Sequence, residues 1–176
     1  EWLMVRGKPY APDPELEEYL KAYEELAPIA AQKFAKEWKL SRPVKTRAIA
    51  PTGTIGIMAS TTTGIEPLYA VAYKRRYLVD GTRWKYEYVV DSTAETLIQE
   101  HGLDPDEIQS AADLAENPKA RIKFQADVQD YVDMSISSTI NLPSGHVTES
   151  DITSFSAILA RYAPRLRGFT CYPDGS

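Results

Sequence analysis

The chain has 176 residues, of which 43% are hydrophobic and 26% are charged, values typical of one soluble globular domain. Its formal net charge of −5 argues against non-specific binding to nucleic acid, and no apolar run approaches the roughly 20 residues that cross a membrane. A single cysteine, Cys171, excludes an internal disulfide and a cysteine-rich metal site, so we expect a cytosolic protein without a metal centre.

A helical lead-in is predicted over residues 1–45. Asp13 can cap a helix that starts at Pro14, and the acidic residues that follow suit the positive end of the helix dipole. Pro28 is expected to break or kink this helix. Apolar residues recur at the spacing of one buried helical face, at Leu16, Tyr19, Leu20, Tyr23 and Leu26.

Strand and helix units are predicted over the remaining residues, 46–176. A short strand at 46–50 leads into a loop at 50–56 and then into a helical segment that Gly64 is expected to end. Tyr-, Val- and Trp-rich runs at 68–78 and 83–90, separated by Asp-Gly, predict a β-hairpin. In the first of these strands Lys74, Arg75 and Arg76 should alternate sides and therefore cannot all face one anion.

The second half of the chain alternates helices with short strands. Helices are predicted at 92–101, capped by Ser92 and ended by Gly102, at 119–135, and from a cap at Thr148 to about Tyr162. Strands are predicted at 138–142 and 168–172. A strand, a helix and a second strand with short connections form the crossover unit of a parallel sheet, which predicts an α/β fold.

The loop at 50–56 is the best candidate for a binding site. It contains few bulky side chains, and it delivers the chain to a helix N-terminus whose first amides have no intrahelical partners. Together with the helix dipole, these amides favour a phosphate or diphosphate. The predicted substrate-binding residues are Thr52, Gly53, Thr54, Ile55 and Gly56.

Purely structural interpretations of these residues stay open. The loop could be a turn with a threonine cap, and it is not an ATPase phosphate loop of the Walker A type, because no lysine follows the glycine. Glu66 could contact a ligand or serve as a surface or capping residue. Asn141 could point into the site or could be a satisfied turn residue. No nucleophile–base pair is apparent, so no catalytic residue is predicted in this chain.

Four long stretches give the chain a resemblance to a known family. They are 45–56 (KTRAIAPTGTIG) with 63–67 (TGIEP), 124–133 (FQADVQDYVD), 137–143 (SSTINLP) and 166–176 (LRGFTCYPDGS). In this order and spacing they resemble the adenosylcobalamin-dependent, or class II, ribonucleotide reductases. The resemblance covers nearly the whole chain.

The resemblance implies part of a ten-stranded α/β barrel with a β-hairpin insertion, in an enzyme that reduces ribonucleotides at the 2′ carbon by radical chemistry. It implies that adenosylcobalamin is the cofactor of the complete enzyme and that a ribonucleoside di- or triphosphate is the substrate. It also implies that the loop at 50–56 holds the substrate phosphates.

The reactive cysteines of that family have no counterpart here, because Cys171 matches none of their motifs. Both ends of the chain look cut, so we expect the C-terminal portion of the barrel, inactive alone and dependent on the missing N-terminal barrel part. Unpaired strand edges favour an oligomer in isolation. The alternative hypothesis is a catalytically inactive nucleotide-binding or regulatory module derived from the barrel.

Overall fold

The computed structural model describes residues 1–143, 145 and 147–173. Ser144, His146 and residues 174–176, which end the last stretch that carries the resemblance, lie outside the described residues. Short 3₁₀ turns occur at Met4–Arg6, Pro105–Glu107 and Ala163–Arg165. The helices are α1 (Pro14–Glu37), α2 (Gly53–Met58), α3 (Ser92–His101), α4 (Ala111–Ala115), α5 (Pro118–Gln129) and α6 (Glu149–Tyr162), and the strands are β1 (Ala72–Val79), β2 (Arg83–Val90), β3 (Thr139–Leu142) and β4 (Thr170–Pro173).

Helix α1 begins as predicted but does not end at its internal proline. The Asp13 carboxylate accepts hydrogen bonds from the backbone N–H groups of Glu15 and Leu16. The predicted break at Pro28 is wrong, since the helix runs on to Glu37. Proline lacks the N–H that would bond to the carbonyl four residues earlier. That carbonyl, of Glu24, instead accepts a hydrogen bond from Nη1 of Arg47 at 3.3 Å.

Only part of the apolar face predicted for α1 is covered. Leu16 and Leu20 pack against the core, whereas the other members of the predicted face, Tyr19, Tyr23 and Leu26, are exposed. Exposed Ile29, Phe34 and Trp38 follow on the second half of the helix. The burial predicted for Tyr19, Tyr23 and Leu26 is therefore wrong among the described residues, where these side chains stay exposed although the Trp2 ring contacts that of Tyr19.

The predicted hairpin is confirmed. Strands β1 and β2 pair antiparallel from Ala72 opposite Val90 to Val79 opposite Arg83. Asp80 and Gly81 both take the left-handed backbone conformation that tight hairpin turns require. The three basic residues of β1 alternate as expected: Lys74 lies over Tyr86 and Tyr88, Arg76 lies over Trp84, and Arg75 lies over Tyr77.

The crossover unit in the second half of the chain is also confirmed. Strands β3 and β4 pair parallel, with α6 between them in sequence. The N-terminus of α6 is fixed by a reciprocal capping box, in which Thr148 and Asp151 each bond to the other's backbone N–H.

Several predicted boundaries differ from the structure. Helix α3 is capped by Asp91 and not by Ser92, although Gly102 ends it in the left-handed conformation as predicted. Helix α5 stops at Gln129 instead of reaching 135, because the Gln129 side chain donates to the carbonyls of Val132 and Met134 and so stabilises a turn.

The strand predicted at 46–50 is reduced to one parallel bridge between Ile49 and Ile136. The backbone amides of Thr46 and Arg47 donate to a side chain, that of Asp133, and Pro51 has no N–H, so the ladder cannot extend in either direction.

Helix α5 lies at the centre of the packing. Phe124 and Val128 join Leu3, Val132 and Ile136 in one cluster, and Ile122 and Ala126 join Ile140 and Tyr162 in another. The α/β class is confirmed. The described strands form two separate two-stranded sheets, and no closed barrel is present within the ranges that the structure describes. No described helix is both long enough and apolar enough to cross a membrane.

Candidate functional site

The predicted phosphate loop connects the Ile49 bridge to helix α2. Ile49 is held on both sides, since its N–H donates to the Ser135 carbonyl at 3.2 Å and its carbonyl accepts from the N–H of Ser137 at 2.8 Å. Three residues later, Thr52 takes the left-handed conformation, with φ 48° and ψ 24°. This conformation is costly for a β-branched residue and is typical of positions that the surrounding structure enforces, often at binding sites.

The first amides of α2 face solvent. The Thr52 side chain makes no capping hydrogen bond, and residues 51–55 are exposed, with Ile55 at 67%. The first backbone bond of the helix joins the Gly56 N–H to the Thr52 carbonyl at 2.8 Å. The amides that precede Gly56 in the helix therefore lack an intrahelical acceptor, as expected for a first turn. Together they form a small donor surface that an anion can reach.

The two glycines of the loop have different surroundings. A Cβ atom on Gly53 would meet nothing within 4 Å, so the backbone there is open to a ligand. A Cβ atom on Gly56 would lie only 2.3 Å from Cγ2 of Thr63 and 3.2 Å from the carbonyl oxygen of Thr61. Gly56 thus lets α2 pack closely on the segment that follows it.

The segment 61–67 folds back onto the strand that enters the loop. The prediction that Gly64 ends the helix is wrong, because α2 ends at Met58, Ala59 caps it, and Ser60 supplies the left-handed residue. Gly64 is also left-handed, with φ 53°, and a Cβ there would lie 3.3 Å from the Ala50 carbonyl oxygen. Gly64 is needed for this close approach between two backbone segments.

Glu66, for which the sequence left two roles open, is half-buried and forms an ion pair with a buried arginine. Its Oε2 atom pairs with Nη2 of Arg121, a residue of α5 that is only 2% exposed. Its Oε1 atom accepts from the backbone N–H of Thr139 at 2.5 Å. The aromatic ring of Tyr10 lies 4.9 Å from the Arg121 guanidinium carbon, and burial raises the pKa of the Tyr10 phenol well above its ordinary range. Sequence reasoning missed Arg121, although a lone arginine beside Ile122 and Phe124 was a usable signal.

A large cavity lies beside this ion pair and not at the loop. It has a volume of about 1000 Å³ and is lined by the N-terminal segment 1–10, by residues of 61–67 and by residues of 103–109. Glu66 and Tyr10 belong to the lining, whereas the described residues 51–56 do not. The loop lies on the surface, and the cavity is a separate, mainly apolar feature.

The other candidates are less distinctive. Asn141 is half-buried on β3, opposite Tyr172 of β4, and its role stays open. Cys171 is half-buried, pairs with Ile140 in the parallel register and packs against the apolar cluster around Ile122. Among the described residues, no group of three or more His, Cys, Asp or Glu side chains could hold a metal ion.

Comparisons with known proteins define the family. The sequence model of the ribonucleotide reductase barrel domain matches residues 42–163, which include the loop, the hairpin, α5, β3 and α6. The chain therefore belongs to the ribonucleotide reductase family, and these residues are part of its barrel domain.

The names of individual relatives also state a cofactor dependence. The chain is 29% identical over 152 residues to the vitamin B12-dependent ribonucleoside-diphosphate reductase of Mycobacterium tuberculosis, covering 77% of this chain and 22% of that protein. It is 31% identical over 166 residues to the enzyme of the same name from Thermoplasma acidophilum, covering 81% and 21%.

A protein of Mycobacterium phage D29, whose name includes the words adenosylcobalamin-dependent ribonucleoside-triphosphate reductase, is 26% identical over 209 residues, covering 99% of this chain and 29% of the phage protein. The chain thus spans between a fifth and a third of the length of these relatives.

Proposed function

We propose that this chain is the substrate-phosphate-binding portion of the barrel of a vitamin B12-dependent ribonucleotide reductase. The observation that carries the proposal is the exposed, uncapped first turn of α2, placed directly after the Ile49 bridge within the matched barrel region. The names of the relatives support the class of enzyme and its cofactor.

In this proposal the backbone N–H groups of Gly53, Thr54 and Ile55 donate to phosphate oxygens, and the hydroxyls of Thr52 and Thr54 add two further donors. Gly56 completes the site by allowing α2 to pack against Thr63. The loop holds the nucleotide by its anionic end, and so fixes the distance between the ribose and the reacting groups of the enzyme. Either a diphosphate or a triphosphate satisfies these donors.

The complete enzyme would use adenosylcobalamin, which supplies the radical that starts reduction at the 2′ carbon. We assign no contact with that cofactor to the described residues, among which His101 lies at the exposed end of α3 and Cys171 packs in an apolar cluster. We therefore assign the cofactor contacts and the reactive cysteines to the rest of the enzyme. The contribution of this chain is to bind and orient the substrate.

The proposed domain organisation is a helical lead-in over 1–45 followed by barrel units over 46–176, with β1 and β2 as a hairpin insertion. The remainder of the ten-stranded barrel is the proposed partner. Its absence accounts for the two separate two-stranded sheets and for the exposed apolar side chains of α1. We expect this chain alone to be inactive as a reductase and to associate through its open edges.

The test adds a methyl group where it blocks the ligand and disturbs nothing else. Gly53→Ala places a Cβ in open space at the mouth of the loop, and Gly168→Ala is the matched control, since a Cβ there also meets nothing within 4 Å. In the complete reductase, we expect Gly53→Ala to raise the KM for the nucleotide about tenfold or more and Gly168→Ala to leave it unchanged.

Equal KM values for Gly53→Ala and wild type would refute the phosphate assignment. Calorimetry with CDP and cytidine on this chain alone separates the alternative of an independent nucleotide-binding module, which predicts micromolar affinity for CDP without the rest of the barrel.

A further inference from the structure

We propose that Glu66 is a positioning residue for the phosphate loop, acting through the ion pair with Arg121 and the turn at 63–66. This inference rests on the proposed function, because it concerns the geometry of the same loop. Glu66 does not touch the proposed phosphate position; it fixes the segment against which the loop is built.

Both oxygens of the Glu66 carboxylate contact other parts of the chain. Oε2 pairs with Arg121 on α5, and Oε1 accepts from the N–H of Thr139 at the start of β3. The same Nη2 atom of Arg121 donates to the Thr139 carbonyl at 2.5 Å, so the three residues close a ring of contacts. Glu66 thus joins the loop-following segment to α5 and to β3 at a single point.

The turn that Glu66 ends touches the phosphate loop on two sides. The Glu66 N–H donates to the Thr63 carbonyl at 2.9 Å, which closes the turn. Within it, Thr63 occupies the space beside Gly56 of α2, and Gly64 lies against the Ala50 carbonyl at the start of the loop. A shift of Glu66 therefore moves both the entry and the first helical turn of the loop.

A second contact holds the same turn in place. The Tyr10 hydroxyl donates to the carbonyl of Ile65 at 2.7 Å, and the Tyr10 ring lies next to the Arg121 guanidinium. The turn is thus fixed at two consecutive residues, by the Glu66 side chain and by the Ile65 backbone.

The negative charge on Glu66 is needed to compensate the positive charge of Arg121, which is almost completely buried. Among the described residues, Nη1 of Arg121 has no hydrogen-bond partner, so the ion pair with Glu66 is the main compensation for the buried cation. A buried charge without its counter-charge is strongly unfavourable, and the local structure is expected to shift to bring water or another acceptor to it. Glu66→Gln removes this counter-charge while nearly preserving side-chain shape.

The experiment compares two ligands that differ only in their phosphates. In the complete reductase, we expect Glu66→Gln to raise the Kd for CDP about tenfold and to leave the Kd for cytidine unchanged. The KM for the nucleotide should rise while kcat at saturation changes little, because bound substrate still meets the same reacting groups. Glu100→Gln, at an exposed position on α3, is the matched control and should leave both Kd values unchanged.

Tyr10→Phe provides a milder variant in case Glu66→Gln fails to fold. It removes only the hydroxyl that holds Ile65 and should raise the Kd for CDP in the same direction, by a smaller factor. Equal losses for CDP and cytidine would overturn the inference, since they would show a general structural role. Unchanged CDP binding in the folded variants would overturn it as well. If the wild-type enzyme does not prefer CDP to cytidine, the proposed function fails, and not this inference alone.

Discussion

Arg47 and Asp133 are joined through both backbone and side chain. Oδ1 of Asp133 accepts from the backbone N–H of Arg47 at 2.9 Å, and Oδ2 lies 3.7 Å from Nη1 of the same arginine. Oδ2 also accepts from the Thr46 N–H at 3.1 Å. One carboxylate thus holds the chain that enters the proposed phosphate loop against the turn that follows α5, in place of the sheet hydrogen bonds that the sequence had predicted there.

We expect Asp133→Asn to lower the free energy of unfolding by about 1–3 kcal/mol, the usual range for hydrogen bonds to a charged group. The asparagine side chain keeps one acceptor oxygen. Its NH₂ group, however, faces a backbone N–H, and two donors cannot form a hydrogen bond. Urea unfolding, followed by circular dichroism, measures the change. Asp106→Asn, at an exposed position, is the control, and equal midpoints for the two variants would contradict the expectation.

The same carboxylate gives a pH dependence of defined sign. Although partial desolvation raises the pKa of Asp133, the N–H groups of Arg47 and Thr46 and the nearby guanidinium outweigh it and hold this pKa below its ordinary value. A depressed pKa means stability that is fully present above the unfolded value of about 3.9 and is lost as pH falls through the folded value.

The difference in unfolding free energy between wild type and Asp133→Asn should therefore be constant near neutral pH and shrink below about pH 4. Urea titrations at a series of pH values measure it. A difference that grows on acidification would show that the sign is wrong.

A methyl group on Gly56 should be destabilising in a way that a second substitution reverses. Gly56→Ala places a Cβ 2.3 Å from Cγ2 of Thr63, and overpacking of this kind costs about 1–3 kcal/mol. Thr63→Ser removes Cγ2 and should recover most of that loss in the double variant. Unfolding free energies of the two single variants and the double variant measure the coupling. Additive effects would mean that the two residues do not meet.

Replacing the proline inside α1 should stabilise the chain. Pro28→Ala restores a backbone N–H to the Glu24 carbonyl and removes the ring from the helix interior, which we expect to add about 1–2 kcal/mol to the free energy of unfolding. Thermal unfolding measures the shift, with Glu25→Ala as a control in the same turn. A lower melting temperature for Pro28→Ala would contradict this expectation.

Local signals in the sequence predicted local structure well. The Thr148–Asp151 capping box and the Asp80-Gly81 turn were identified because each depends on residues within a few positions of one another. Helix α3 was assigned the wrong cap, because Asp91 and Ser92 are both good capping residues and adjacent.

Relationships across long stretches of chain could not be predicted in this way. Pro28 was expected to break or kink a helix because its compensating donor, Arg47, lies far along the chain. Glu66 looked like a surface or ligand residue because its partner, Arg121, is 55 positions away. The candidate loop was found from its own residues, but the turn and the core contacts that support it depend on tertiary packing.

The hydrogen bond between Arg47 and Glu24 has a consequence for the order of folding during synthesis. The ribosome releases the residues around Pro28 well before Arg47. Until Arg47 emerges, only water can donate a hydrogen bond to the Glu24 carbonyl, because Pro28 has no N–H. The first half of α1 can form from local interactions alone. The contact between Arg47 and Glu24 across the proline forms only when later polypeptide has emerged and folded back. Completion of the lead-in helix is therefore coupled to the arrival of the segment that carries the proposed phosphate loop.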